Sequence, residues 1–461
     1  MPTRSSFSDV RLDVEPGEQR SAMVLEPDTP FRILLLGDFS GRTSSDWRPV
    51  EIDRDNFEDV LARLAPSFSG MKFRELDDFH PDRIYQSPLF AELREERRKV
   101  DAGGSSRAKG AKAEAERPPL PDLASGASLL DSMMEADEPK AAPPVTHRGG
   151  LEAVVESVVA PYRVPAENPE LPGLRAKADE DSSALMRAIL HHPAFQAVEA
   201  AWRAVFHLVR AVETGTQLRI YLLDVSKAAL AADLGASDDP RRSNIWRILV
   251  DDTEAGEPWS LVAGNYAFAQ AAGDAQVLDV LARIMSAAGA PFLGEADPAG
   301  GKDAAEGAKV WEQFRRTTQA CWVGLAMPRF LLRLPYGTKT DRVEGFDFEE
   351  MPGVPGHGEY LWGNPAFALV RMLAEAFASE GWDMRPGAHS EIDGLPLHVY
   401  EADGEKQLKP CAEVLLTERD LDWIMDQGYM ALASIRGRDA VRLVRFQSVA
   451  EPPARLAGRW E

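Results

Sequence analysis

The residues best suited to chemistry are few, and their spacing argues against it. His191 and His192 are adjacent, and His207 follows fifteen residues later. Neighbouring side chains on a helix point about 100° apart. The pair therefore does not converge on one ion, and no His-Glu-x-x-His arrangement accompanies it. It reads as a pair of histidines at a helix joint or an interface. Leu36-Gly-Asp-Phe-Ser-Gly-Arg42 sets two glycines behind an apolar run. A phosphate cradle needs Gly-x-x-x-x-Gly-Lys-Ser/Thr or Gly-x-Gly-x-x-Gly, and the chain has neither, so the segment reads as a tight turn. Ser40, Ser226 and Ser260 lack the Gly-x-Ser-x-Gly elbow. Cys321 stands between Ala320 and Trp322, where a buried thiol acts as a small hydrophobe. Acidic pairs such as Asp251-Asp252 and Glu349-Glu350 read as polar loop residues, as expected with 74 acidic residues in the chain. Arg329 and Arg333 differ, because they sit within the apolar string Met327-Pro-Arg-Phe-Leu-Leu-Arg-Leu-Pro-Tyr-Gly337. An unpaired buried charge is costly, so both need partners, within the chain or across a subunit contact. No catalytic, metal or cofactor site emerges, and the reading is of a protein that is not an enzyme.

The elements around these residues alternate in type. Phe31–Leu36 is a short apolar run closed by Gly37-Asp38 and reads as a buried strand. Phe57, Val60, Leu61 and Leu64 lie at helical spacing behind an N-cap at Asp55 or Asn56. Met71–Leu76 is a strand candidate, and Pro88 to Val100 reads as helix. Phe195, Val198, Trp202, Val205, Phe206 and Val209 recur every three or four residues, with Pro193 in the first turn. Strands are expected at Leu218–Leu223, Trp259–Ala263, Trp322–Leu325 and Leu395–Tyr400, and helices at Val277–Ala288 and Pro365–Ser379. This alternation predicts an α/β fold. Residues 101–127 are rich in Gly, Ser, Lys and Pro and read as a flexible linker.

Composition narrows the class. The 461 residues carry 52 Lys+Arg against 74 Asp+Glu, a formal net charge of -22. Such a surface repels phosphate, which argues against nucleic acid and against an anionic membrane surface. Two distant cysteines, Cys321 and Cys411, suggest a reducing compartment and hence a cytoplasmic protein. The first 21 residues lack an apolar secretory core, and no apolar run approaches the roughly 20 residues of a membrane span.

Longer strings carry a family resemblance. Pro30-Phe-Arg-Ile-Leu-Leu-Leu-Gly-Asp-Phe-Ser-Gly41, Val50-Glu-Ile-Asp-Arg-Asp-Asn-Phe57 and Phe73-Arg-Glu-Leu-Asp-Asp-Phe-His-Pro81 resemble the small subunit, TssB, of the bacterial type VI secretion sheath. Leu190-His-His-Pro-Ala-Phe-Gln196 with Glu199 and Trp202, Ala290-Pro-Phe292, the 327–337 string, Glu344-Gly-Phe-Asp-Phe-Glu349 and Tyr360-Leu-Trp-Gly-Asn364 resemble the large subunit, TssC. The resemblance implies a TssB-like segment fused to a C-terminally shortened TssC-like one. The implied division is an extended arm (1–30), a small-subunit segment (31–100), a linker (101–127), a helical region (128–180) and a sheath core (181–461). The core would carry mixed sheets flanked by helices, and the early strands would complete a sheet supplied by the later chain.

The implied function is a structural protomer of a contractile injection apparatus, working by protein–protein assembly without chemistry. Its implied partners are other sheath subunits, an Hcp-like tube, the baseplate and a ClpV-like ATPase. The shortened C-terminus also suggests an accessory protein that docks on sheath or baseplate without polymerising. Two local elements follow from the resemblance. Leu129, Leu130, Met133 and Met134 form one apolar stripe, corresponding to the ATPase recognition helix. Val10, Leu12 and Val14 alternate with polar residues, as a strand-exchange arm would.

Overall fold

The computed structural model describes residues 29–42, 47–113, 171–253, 257–297 and 304–460. The apolar run at residue 31 is strand β1 (Phe31–Gly37), buried along its whole length. Both faces of β1 meet core, which explains why residues 33–36 are continuously apolar and do not alternate. Leu34 and Leu36 join Leu278, Leu281 and Met285 of a helix on one side, while Phe31, of opposite parity, stacks on Phe377 at 4.8 Å.

The chain divides into two compact units. The first gathers Met1–Ile84, Ala188–Arg342 and Glu349–Glu461. It contains β1, β2 (Val50–Ile52), a small β3–β4 pair (Ser67–Phe68, Met71–Lys72), β5 (Leu218–Asp224), β6 (Leu261–Ala269), β7 (Phe292–Asp297), β8 (Val323–Met327), β9 (Phe330–Leu331), β10 (Trp362–Gly363), β11 (Glu391–Ile392), β12 (His398–Ala402), β13 (Glu405–Lys409), β14 (Met430–Ser434) and β15 (Val441–Leu443). Nine of these strands form one sheet in the order β11-β15-β14-β8-β7-β6-β1-β5-β2. Neighbours from β14 through β5 pair in parallel. The strands at the margins, β15, β11 and β2, pair antiparallel. β1 lies between β5 and β6 and β2 pairs with β5 at the margin, so two early strands complete a sheet otherwise built from residue 218 onward.

Four helices of this unit matter here: α1 (Phe57–Leu64), α4 (Pro193–Ala211), α6 (Ala272–Ala288) and α8 (Pro365–Glu380). Helix α4 buries Phe195, Val198, Trp202, Val205 and Val209 of its predicted stripe, while Phe206 is only partly buried and Leu208 takes a core position instead. The Trp202 indole N–H donates to the Phe39 carbonyl at 2.8 Å, pinning α4 to the turn after β1. Helix α6 ends on Gly289, whose φ of 67° is left-handed and suits a residue without Cβ.

The second unit comprises Tyr85–Arg187 and Val343–Phe348. Its described elements are a 3-10 turn at Pro88–Phe90, helix α2 (Ala91–Ala113) and most of helix α3 (Leu171–Leu190). Arg97 pairs with Asp179 at 3.0 Å and donates to the Gly345 carbonyl at 2.6 Å. Tyr85 and Phe346 pack at 4.7 Å.

Several boundaries move from those expected. The helix expected to stop near Val100 runs on to Ala113, into residues read as linker. The Met71–Leu76 strand keeps only Met71–Lys72, because a 3-10 turn capped by Glu75 and Asp78 takes over at Leu76. The Leu395–Tyr400 strand sits three residues later, at His398–Ala402. Asn56 does cap α1 by position but makes no side-chain cap bond. Its Oδ1 instead accepts from the Asp53 amide, and Asp53 accepts from the Asp55 and Asn56 amides.

Candidate functional site

The arginines of the 327–337 string organise two charged junctions in the first unit. Arg333 lies between two carboxylates that are both fully buried. Its Nε donates to Glu199 Oε1 at 2.8 Å; Nη1 and Nη2 donate to Glu350 Oε2 and Oε1 at 2.7 and 3.0 Å. Glu199 also accepts from Arg203 Nε at 2.7 Å, one helical turn along α4. Arg203 Nη2 donates to the Tyr336 hydroxyl at 2.8 Å, and the Arg333 guanidinium stacks on the Tyr336 ring at 4.3 Å. Glu350 Oε2 accepts the Tyr336 amide at 2.8 Å, and His191 Nε2 stands 3.6 Å from Oε1.

Two arginines and two glutamates make this junction neutral. Burial alone would raise the Glu350 carboxyl, but Arg333, His191 and the Tyr336 amide outweigh it and hold it at about 2. Burial pushes the Tyr336 hydroxyl up to about 12. The guanidinium groups of Arg203 and Arg333 meet Glu199, Glu350 and Tyr336, so the arrangement joins α4 to the 333–336 and 350 segments.

Arg329, four residues earlier, makes a looser junction. It forks onto Glu413 through Nε and Nη2 at 2.9 and 2.5 Å, with its own side chain 39% exposed. His357 Nε2 lies 2.8 Å from Glu413 Oε1, and Glu295 of β7 lies 3.9 Å from Arg329. Burial raises the Glu295 carboxyl to about 7, since the nearby guanidinium is already committed to Glu413.

Both arginines thus find intramolecular partners. The partners themselves were missed. Glu350 was read as a polar loop acid, yet it is fully buried. Glu199 carried a usable signal, as an acid on the apolar stripe of α4 four residues before an arginine.

The remaining candidates have local structural duties. His192 caps α4, its Nδ1 accepting from the Ala194 amide at 3.2 Å. His207 contacts the Leu332 carbonyl at 2.9 Å, and burial lowers its pKa. In the turn after β1, Asp224 accepts the Phe39 and Ser40 amides and Asp38 accepts the Gly41 amide, so acids occupy the donors a phosphate would need. Ser226 caps the helix that begins at Lys227, and Ser260 accepts the Arg32 amide. Cys321 is only half-buried, in the 3-10 turn Thr318–Trp322, because its apolar neighbours do not all face one way there; Cys411 is the buried thiol. Among the described residues no group of three or more His, Cys, Asp or Glu could hold a metal ion, and no helix is long and apolar enough to cross a membrane. Val10, Leu12, Val14, Leu129, Leu130, Met133 and Met134 lie outside the described residues.

What the first unit offers outward is a hairpin. β12 and β13 pair only with each other, with Val399 opposite Leu408. Both are exposed, at 55% and 42%. The base is anchored: the Tyr360 hydroxyl meets His398 Nδ1 at 2.8 Å, and Lys409 lies over the Tyr360 and Trp362 rings. An isolated two-stranded hairpin is marginal by itself, so this anchoring holds an apolar cross-strand pair in the solvent.

The chain is similar to known proteins. It is 32% identical over 304 residues to the type VI secretion system sheath protein TssC1 of Pseudomonas aeruginosa, covering 60% of this chain and 61% of that one. The match therefore spans about three-fifths of the relative's length. The family described as VipB: EvpB/VC_A0108, tail sheath N-terminal domain, matches residues 174–300 and 302–450, a stretch that includes Glu199, Arg333 and Glu350. The chain belongs to this VipB tail-sheath family.

Proposed function

We propose that the chain is a structural component of a type VI secretion sheath that works through assembly and carries no catalytic activity. The observation that carries this reading is the tail-sheath match across residues 174–450. The internal neutralisation of Arg329 and Arg333 supports it, because the charges of the longest motif serve the protomer's own rigidity. The reading extends to a TssB-like segment at 31–100 fused ahead of the TssC-like core. The pairing of β1 with β5 and β6 and of β2 with β5 supports this extension, since these early strands complete a sheet of the later chain. The partners are other sheath subunits, an Hcp-like tube, the baseplate and a ClpV-like ATPase, and the site of action is the bacterial cytoplasm. Val10, Leu12 and Val14 serve as a strand-exchange arm, and Leu129, Leu130, Met133 and Met134 as the ATPase-binding stripe.

The test is affinity purification of the tagged chain from its own cells after cross-linking, with electron microscopy of the product. Sheath or baseplate subunits should co-purify. Ordered tubes assign a polymerising protomer, and association without tubes assigns an accessory. Recovery of neither sheath nor baseplate subunits would end the proposal. A peptide of residues 125–139 should bind the N-domain of a ClpV-like ATPase and lose binding on Leu130→Asp; unaltered binding removes the stripe from the argument.

A further inference from the structure

Among the described residues, no carboxylate pairs with Arg32, the second residue of β1 and a buried cation. The described buried arginines are Arg32, Arg315 and Arg333. Arg315 reaches Glu451 and Arg333 reaches two glutamates. Arg32 is 8% exposed, its Nη1 donates to the Glu257 carbonyl, and its buried Nε has no hydrogen-bond partner. Its guanidinium carbon lies over two aromatic rings, 4.2 Å from the Trp259 ring centre and 5.1 Å from that of Tyr221.

Arg32 lines an open cleft of about 1050 Å³ that also takes in Trp47, Arg219, Arg247, Asp233 and Asp252. The other charges on this wall are engaged. Arg219 pairs with Glu257 at 3.2 Å, and Arg247 with Asp252 at 3.7 Å. Asp233 accepts the Asn244 and Ile245 amides and the Asn244 side chain. Arg48 and Glu51, which complete the charged lining, are of opposite sign. Formal charge on the wall is thus nearly balanced, yet Arg32 is left over in the pairing. A desolvated guanidinium in that state costs stability unless an anion completes it.

We propose that this cleft binds a peptide segment of another protein, one Asp or Glu carboxylate of which pairs with Arg32. A planar carboxylate matches a guanidinium edge. Glu51, Asp233 and Asp252 on the same wall disfavour a multiply charged phosphate and equally a run of acids, so the segment presents a single carboxylate there. The volume exceeds what a lone ion would fill, and Trp47, Tyr221 and Trp259 supply apolar surface for a peptide's carbon stems. This inference does not rest on the sheath reading and survives its failure.

The full chain at physiological salt is titrated with a hexapeptide carrying one glutamate among alanines, read by tryptophan fluorescence and by calorimetry, with inorganic phosphate as competitor. Saturable binding is expected, weakened at least tenfold by Arg32→Met and about two- to threefold by Arg219→Gln, with phosphate a poor competitor. Arg32→Met keeps the stem against Trp259 and removes the charge, so its melting temperature should hold or rise. Absence of peptide binding, undiminished affinity in Arg32→Met, or equal displacement by phosphate, which would mark a small-anion site, overturns the proposal. If Arg32→Met fails to fold, hydrogen exchange on the unaltered protein decides. Peptide-dependent protection at residues 31–33, 47–52 and 259–261 upholds the site, and protection elsewhere or none rejects it.

Discussion

Arg329 and Arg333 share a motif, a side chain and a pairing mode, yet they sit in opposite electrostatic regimes. Arg333 is sealed between two carboxylates with no exposure, in a set of charges that sums to zero. Arg329 is over a third exposed and leaves Glu295 as a second, under-compensated acid. Desolvation magnifies the loss of any one partner in the sealed junction, whereas water screens the open one. Four residues of chain thus separate a charge the fold cannot do without from one it can.

Removing the sealed cation should have the largest effect. Arg333→Met strands Glu199 and Glu350 in the interior and should cost about 3–5 kcal/mol in denaturant unfolding. The double replacement with Glu350→Gln should recover part of that loss, and a double-mutant cycle showing independence of the two would break the comparison. Acid comes next. Glu350 is held at about 2 in the fold against 4.5 ordinarily. Its stabilising contribution is complete above pH 4.5 and is lost as pH falls towards 2, a change on the order of 3 kcal/mol. Melting temperature followed from pH 6 to 2 should drop across that window, and Glu350→Gln should flatten the drop.

The open junction should respond with the other sign and less strongly. Glu295 is raised from 4.5 to about 7, so its ionisation opposes folding above pH 7, and the protonated form is fully compatible with the fold below 4.5. Glu295→Gln should raise the melting temperature by about 2–4 °C at pH 8 and leave it nearly unchanged at pH 5. The smallest effect belongs to Arg329→Met, at about 1 kcal/mol or less, diminishing further in high salt. A loss there matching that of Arg333→Met would erase the distinction between the two junctions.

Legibility in the sequence followed the same division. β1 and α4 were readable because burial on two faces, or on one helical stripe, leaves a pattern in hydrophobicity alone. That the two arginines needed partners was also readable, since the cost of burying a charge is independent of fold. Which acids answer them was not. Glu199 and Glu350 are about 150 residues apart, and only the packing of α4 against the 333–336 segment brings them to one guanidinium. Glu350 follows Glu349 in a string that looks solvated, so local composition pointed the wrong way. Cys321 misled similarly, because a 3-10 turn rotates neighbouring side chains out of register with the apolar run they spell. The cleft at Arg32 left no local trace, as its walls come from residues near 32, 47, 219, 233 and 259.

The place of β1 in the sheet has a consequence on the ribosome. Phe31 pairs with Leu218 and Ile33 with Leu261, so both flanking strands emerge about 190 to 230 residues after β1. At ordinary synthesis rates that is a wait of roughly 10–45 s. Throughout it, a strand apolar on both faces has neither edge occupied, in the nascent chain most exposed to mispairing. Slower elongation lengthens that interval, so the folding of this chain is expected to depend on the pace of its synthesis.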